Sequence, residues 1–286
     1  MGCGGNRRLT QRNTMSLRPD FKHRYGKWAL VSGGAEGIGA GYAERLAAMG
    51  MPLVLLDIKA DQLEATAAKL RSAHAVEVKT ITVDLADADA LTAAIDSVAD
   101  LEIGLLVANA GIGAVGRWLE VPLEVKMKQI AINCTSTLIL AHHLTPAMVK
   151  RRRGGVIIMA SGSAEMGCSF IVTYAATKAF DRVFAEGLWA ELSPYGVDVT
   201  TVMPGAVNTP GFRAALPAGH APTKLMQPVD PFVVVDAALE GLGTKINVRP
   251  NSGRLGAGLL GLMILLMPRK RFLKIGDSAV RQMYDR

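Results

Sequence analysis

Six short apolar runs, rich in β-branched residues, are separated by five longer stretches with helical spacing, and this alternation constrains the chain more than any other feature. The runs are Trp28–Val31, Pro52–Leu56, Val78–Val83, Gly104–Ala108, Val156–Met159 and Val197–Met203. The helical stretches are Ile38–Met49, an Ala- and Leu-rich segment ending at Arg71, Asp87–Val98, about Leu123–Arg151 and Thr173–Leu192. Strands apolar on both faces belong in a parallel sheet covered on both sides. Repeated βα units predict a doubly wound (Rossmann) α/β fold: three layers, one domain, right-handed crossovers.

Composition removes other classes. Half of the 286 residues are hydrophobic and mean hydropathy is positive, which excludes a disordered chain. Cys3, Cys134 and Cys168 are too scattered for a disulfide framework or a metal site, and they suit a reducing, cytoplasmic setting. The net charge of +7 would invite a nucleic-acid reading. However, residues 1–27 and 249–286 each carry +6 and the middle carries −5, so no nucleic-acid partner is expected. Residues 1–25 read as a flexible basic tail and 26–250 as the Rossmann domain. Residues 251–286 read as an apolar and basic extension. Met1-Gly2-Cys3 is similar to an acylation start, but Asn6 stands where Ser or Thr is required, and Met15 is a second candidate start.

After the first run comes Ser32-Gly33-Gly34-Ala35-Glu36-Gly37-Ile38-Gly39. Glycines between a strand and a helix let the backbone approach a pyrophosphate, and the helix start supplies free N–H groups and a positive dipole end. Glycine turns also serve packing alone. Here Asp57 ends the second run, 18 residues beyond Gly39, where a carboxylate can accept from ribose hydroxyls and repel a 2′-phosphate. That favours NAD over NADP, with Lys59 the one nearby cation. Tyr174 and Lys178 are four apart and share a helix face. Ser161 lies just past the fifth run, on the rim where ligands bind in open α/β sheets. Asn133 sits inside a helical stretch that it does not favour.

Taken in order, Ser32-Gly33-x-x-x-Gly37-Ile38-Gly39, Asn109-Ala110-Gly111, Asn133, Ser161, Tyr174-x-x-x-Lys178 and Pro204-Gly205-x-Val207-x-Thr209 closely resemble the short-chain dehydrogenase/reductase superfamily, in its ordinary single-domain branch, over roughly residues 27–250. Ser32 stands where Thr is usual, and Ala108 precedes Asn109 where a second Asn is common. The resemblance implies roles. Tyr174 is the general acid/base. Lys178 favours its phenolate and holds the nicotinamide ribose. Ser161 orients the substrate oxygen, and Asn133 holds a water. Asn109, Ala110 and Gly111 support the cofactor, and Asp84 and Leu85 lie by the adenine. Pro204, Gly205, Val207 and Thr209 hold the nicotinamide carboxamide. A phenol ordinarily ionises near pH 10, so work near neutrality requires that electrostatic help.

Nearby polar residues have plainer readings. Ser163 is two residues short in its spacing to Tyr174 and reads as a pocket wall. Cys168 reads as an apolar filler, His142-His143 as solvent or subunit contacts, and Asp198 as part of a strand or turn. No metal is expected.

Residues 208–229, with Pro210, Pro217, Pro222 and Pro228, read as a substrate lid. Leu255–Met267 is apolar on every face and flanked by basic residues up to Arg271. A helix of this length reaches roughly 20 Å, too short to span a bilayer. It would roof a pocket, join a subunit interface, rest on an anionic membrane through 255–271, or pack as core. The expected activity is hydride transfer between NAD and a secondary alcohol or ketone of a steroid, terpenoid or lipid-like substrate. The alternatives are a 3-oxoacyl-thioester reductase and a non-catalytic dinucleotide binder. A homodimer or homotetramer is expected through the two long helical stretches.

Overall fold

The computed structural model describes residues 19–216, 227–250, 262 and 266–284. Seven parallel strands form one sheet in the order β3-β2-β1-β4-β5-β6-β7. They are β1 Trp28–Ser32, β2 Leu53–Asp57, β3 Val78–Thr82, β4 Ile103–Ala108, β5 Gly154–Met159, β6 Val197–Val202 and the two-residue β7 Asn247–Val248. The order reverses between β1 and β4, which opens a crevice at their carboxyl ends.

Alternation along the strands builds two cores. Ala29, Val31, Leu53, Leu55, Leu105 and Val107 face one layer, with α2 (Gly37–Ala48), α3 (Ala60–His74) and α9 (Pro231–Gly241). Leu30, Val54, Leu56, Leu106, Val156 and Ile158 face the other, with α4 (Ala88–Asp96), α6 (Ser136–Arg151) and α7 (Val172–Leu192). A strand buried on both faces has no polar phase to display, which is why these segments read as continuous apolar runs. The exceptions are β6, which carries Asp198, Thr200 and Thr201, and β3, an edge strand where Lys79, Thr80 and Thr82 are partly or fully exposed.

The tail expected over 1–25 is shorter than that. Phe21–Tyr25 forms a short helix, α1, with Phe21 and Tyr25 buried. Tyr25 Oη donates to Asp198 at 2.8 Å, and Arg24 pairs with the same carboxylate. Asp198 lies at the amino end of β6, so this clasp sits at the end of the sheet away from the crevice. The expected long helix is interrupted: α5 (Leu123–Ile130) passes through a π turn, Ala131–Thr135, before α6.

Residues 217–226 of the expected lid lie outside the described residues, as does Leu255–Met267 apart from Leu262, Leu266 and Met267. The lid begins with α8 (Pro210–Ala215), and Val207 pairs with Val229 so that its two ends are adjacent. Beyond it, Arg269–Tyr284 forms a 16-residue amphipathic helix, α10, that the sequence reading did not resolve. Among the described residues no helix is long and apolar enough to cross a membrane.

Candidate active site

The glycine turn fits a dinucleotide on structural grounds. Gly33 and Gly37 have φ of +70° and +60°, which side chains other than glycine adopt with strain. A Cβ on Gly39 would stand 1.9 Å from the Gly33 carbonyl oxygen. Helix α2 starts with no side-chain cap, so its first N–H groups are left for a ligand anion. Asn109 ties the turn to β4: its Nδ2 donates to the Ser32 carbonyl at 3.0 Å. In return the Ser32 hydroxyl accepts from the N–H of Asn109 (3.0 Å) and of Ala110 (3.1 Å).

At the end of β2, Asp57 is nearly buried. One oxygen accepts from Ala35 N at 3.0 Å and the other from Lys59 N at 3.1 Å. The Lys59 ammonium pairs with Glu36 at 2.8 Å, so its charge is already met. Asp84 accepts from Ala86 N at 2.9 Å and pairs with Lys128 at 3.2 Å. These contacts, the backbone one first, hold its carboxyl below the usual range. Leu85 is buried beside it.

Sheet topology brings the other residues to the same rim. Ser161 follows β5 and caps the 3-10 turn Gly162–Glu165, its hydroxyl accepting from Ser163 N at 3.2 Å. Gly162 N donates to the Pro204 carbonyl at 2.8 Å, which joins that turn to the segment after β6. Thr209 Oγ1 caps α8 by accepting from Phe212 N at 3.1 Å, and its methyl lies over Gly37. Val207 is buried, and Gly205 is exposed at the rim. A Cβ on Gly111 would meet Lys178 Nζ at 3.2 Å and Asn133 Oδ1 at 3.5 Å, and one on Gly113 would touch the Tyr174 ring. Ile38 lies partly buried in the first turn of α2.

Two side chains carry contacts that the sequence did not announce. Asn133 is fully buried in the π turn, and its amide is fully engaged. Nδ2 donates to the Ile112 carbonyl (3.0 Å) and to Thr177 Oγ1 (2.9 Å), while Oδ1 accepts from Ile112 N (2.9 Å). Its side chain therefore pins the loop after β4. The π turn itself takes main-chain groups out of the i→i+4 ladder, a feature common at functional sites. Lys178 is also engaged: Nζ donates to the Met159 carbonyl at 2.7 Å and to Asp181 Oδ2 at 2.9 Å. Asp181 was not singled out in the sequence. The signal available was a carboxylate three residues past Lys178, on one face of a largely apolar helix.

Helix α10 docks beside the site. Asp277 accepts from Ser169 N at 2.7 Å and from the Ser169 hydroxyl, and pairs with Arg281 at 2.7 Å. The Ser169 and Arg281 hydrogen bonds push its carboxyl down to about 2. Gly276 packs on Met166, and Phe272 and Val280 are buried. Tyr284 ends the helix within electrostatic reach of Tyr174, its phenol pushed up by burial first and Tyr174 second. Cys168 is buried, and burial raises its thiol, as expected of a filler. His142 and His143 are exposed, and the described residues hold no cluster that could bind a metal.

A doubly wound parallel sheet, an uncapped glycine turn at its switch point and a Ser–Tyr–Lys rim define a dinucleotide-dependent oxidoreductase. Residues 27–218 match the family model described as short chain dehydrogenase. The chain belongs to that family. It is 34% identical over 254 residues to the human very-long-chain 3-oxoacyl-CoA reductase, covering 87% of this chain and 78% of that one. It is 28% identical over 230 residues to a 7beta-hydroxysteroid dehydrogenase of Collinsella aerofaciens, covering 80% and 88%. A solved short-chain dehydrogenase from Sphingobium yanoikuyae in complex with NADPH superposes with a TM-score of 0.74 at 32% identity, covering 83% of this chain and 95% of that one. The protein is a hydride-transferring oxidoreductase of hydroxyl and keto groups that uses a nicotinamide dinucleotide.

Proposed function

We propose that the chain interconverts a secondary alcohol and a ketone on a bulky apolar molecule, steroid- or lipid-like, with NAD as the preferred dinucleotide. The observation that carries this reading is the convergence of Ser161, Tyr174 and Lys178 with the glycine turn at one rim of the sheet. Gly33, Gly37, Ile38 and Gly39 would receive the pyrophosphate, and Asp57 the adenosine ribose. Each Asp57 oxygen spends one lone pair on a backbone N–H and keeps another for a hydroxyl. Lys59, the cation next to Asp57 in sequence, is paired to Glu36, which leaves less positive charge to offset repulsion of a 2′-phosphate. Asp84 and Leu85 would flank the adenine. The Thr209 O–H, free to donate because the helix cap uses only its lone pair, would hold the carboxamide with Pro204, Gly205 and Val207.

The dinucleotide supplies or accepts the hydride. In reduction Tyr174 donates a proton to the carbonyl oxygen, and in oxidation it takes one from the alcohol. The Ser161 hydroxyl accepts from Ser163 N and keeps its own proton for the substrate oxygen. Lys178 has one N–H beyond its two observed acceptors, available to a ribose hydroxyl. Asn133 fixes Ile112 and Thr177, and Thr177 Oγ1 donates to the Tyr174 carbonyl at 2.9 Å, so the amide steadies the tyrosine's own turn. A water serving proton exchange would meet the main chain of the π turn rather than the Asn133 side chain.

The similarity to the human reductase favours a second substrate reading, a long 3-oxoacyl thioester. Exposed Leu138, Phe180, Val183 and Trp189 on α6 and α7 support assembly as a homodimer or homotetramer. Exposed Leu262 and Leu266 are consistent with peripheral contact of a cytoplasmic protein with a membrane. Nicotinamide absorbance with NAD and NADP, across hydroxysteroids and long-chain 3-oxoacyl thioesters, tests the reading. Tyr174→Phe should abolish turnover and keep dinucleotide binding; full activity in that variant would remove Tyr174 from the chemistry.

A further inference from the structure

Asp181, buried against Lys178 at the rim, is a charged group that the roles above leave unused. The Lys178 and Asp181 side chains are 5% and 1% exposed. Asp181 Oδ2 accepts from Nζ, while Oδ1 has no partner among the described residues. A buried carboxylate with half of its acceptor capacity unmet weakens a fold, so packing does not account for it. Its electrostatic effect does. An ammonium alone beside a phenol stabilises the phenolate; an ammonium with a carboxylate at 2.9 Å presents a dipole, and much of that help disappears.

We propose that Asp181 is a positioning residue: it anchors Lys178 and screens its charge from Tyr174, which favours carbonyl reduction over alcohol oxidation at this site. The inference rests on the proposed role of Tyr174. In reduction the protonated phenol is the competent form, and its proton passes to the carbonyl oxygen as hydride reaches the carbon. Oxidation needs the phenolate and gains as pH rises.

The surroundings are consistent with this. Burial opposes both charges: it raises the Asp181 carboxyl against the pull of Lys178, and it opposes the Lys178 ammonium, which Asp181 nonetheless holds above its ordinary range. Cys134, facing the pair from the π turn, has its thiol pushed up to about 11 by burial and stays neutral. Tyr284 on α10, raised by burial, adds no charge near neutrality. On the 3-10 turn Glu165 is met by Arg249 and Arg182, and Arg182 also reaches Glu186. Asp181 is thus the charged partner hydrogen-bonded to the ammonium.

The test is the pH dependence of kcat/KM for alcohol oxidation in the full chain. Asp181→Asn keeps the shape and an acceptor but adds one net positive charge to the cluster. The midpoint of the alkaline rise should fall by about one pH unit or more, giving roughly tenfold faster oxidation below the plateau. The alkaline limb of ketone reduction should fall in parallel. Asp181→Glu, which restores the charge, should return both midpoints toward wild type. A folded Asp181→Asn protein whose midpoint is unchanged or higher, even with lower kcat, overturns the proposal. Should Asp181→Asn fail to fold, Asp181→Ser, with room for a water on Lys178, carries the same expectation. Ultraviolet difference titration of tyrosinate, corrected with Tyr174→Phe, reads the same midpoint without substrate. Absence of turnover with every alcohol would therefore sink the proposed function, while the titration would still decide the role of Asp181.

Discussion

Replacing Asn133 by Asp alters only one atom of donor chemistry, yet the structure makes it a severe change. The Asn133 Nδ2 gives two hydrogen bonds, at 3.0 Å to Ile112 O and 2.9 Å to Thr177 Oγ1. The Thr177 hydroxyl already donates its proton to the Tyr174 carbonyl, so it cannot turn round and donate to a carboxylate. Ionised, the introduced carboxyl has nothing to give, and it faces two oxygens in a fully buried site. The Ile112 carbonyl keeps its bond from Gln129 Nε2 at 3.0 Å, so Thr177 Oγ1 is the acceptor left orphaned; at about 1–3 kcal/mol for that group, with the repulsion of a buried charge added, a loss of about 2–4 kcal/mol follows. At roughly 2–4 °C per kcal/mol for a domain of this size, Tm should fall by at least about 4 °C. The Lys178 ammonium is nearby, but Asp181 already meets its charge.

The sign with pH is specific. Burial among oxygens raises the introduced carboxyl above its unfolded value near 4, and its protonated form can donate to one of the two acceptors. The stability is present below that unfolded value and is lost as pH rises through the folded one. Thermal melts of wild type and Asn133→Asp between pH 4 and 8 should therefore show a gap that is widest at neutral pH and narrows on acidification. Asn133→Ala, which leaves space for water, should be less damaging than Asn133→Asp at pH 7. A melting temperature within about 2 °C of wild type at pH 7, or a gap that widens in acid, would refute the hydrogen-bond assignment.

Gly39→Ala would place a methyl 1.9 Å from a main-chain oxygen that cannot rotate away, so dinucleotide affinity measured by calorimetry should fall at least tenfold, with a lower Tm. Asp57→Ala should narrow the preference for NAD over NADP in kcat/KM; an unchanged ratio would remove Asp57 from cofactor choice. Asp277, whose carboxyl is pushed down to about 2, supports the docking of α10 above pH 4 and loses that support as pH falls toward 2. Asp277→Asn should mimic the acid state at neutral pH, at about 1 kcal/mol after solvent screening, seen as faster hydrogen exchange in residues 269–284.

What could be read from the sequence follows from the range of the interactions. Strands β1, β2, β4 and β5 announced themselves because two-sided burial demands continuous apolar residues, β6 by its β-branched Val and Thr, and the glycine turn because its backbone admits little else. Asn133 stood out as a poor helix former, but its partners, Ile112 and Thr177, lie 21 and 44 residues away and leave no local pattern. The Ser169–Asp277 contact spans 108 residues and was invisible for the same reason. Helix α1 was hidden inside a basic composition that hid the burial of Phe21 and Tyr25. The two-residue β7 is too short to have a period.

The clasp of Arg24 and Tyr25 on Asp198 brings the chain onto the sheet at the pole opposite the chemistry, whereas α10 finishes beside Tyr174. An affinity handle or surface tether joined directly ahead of Phe21 would meet the sheet at that far pole and leave the crevice open. The same handle fused after Tyr284 would stand near Tyr174 and crowd the proposed site.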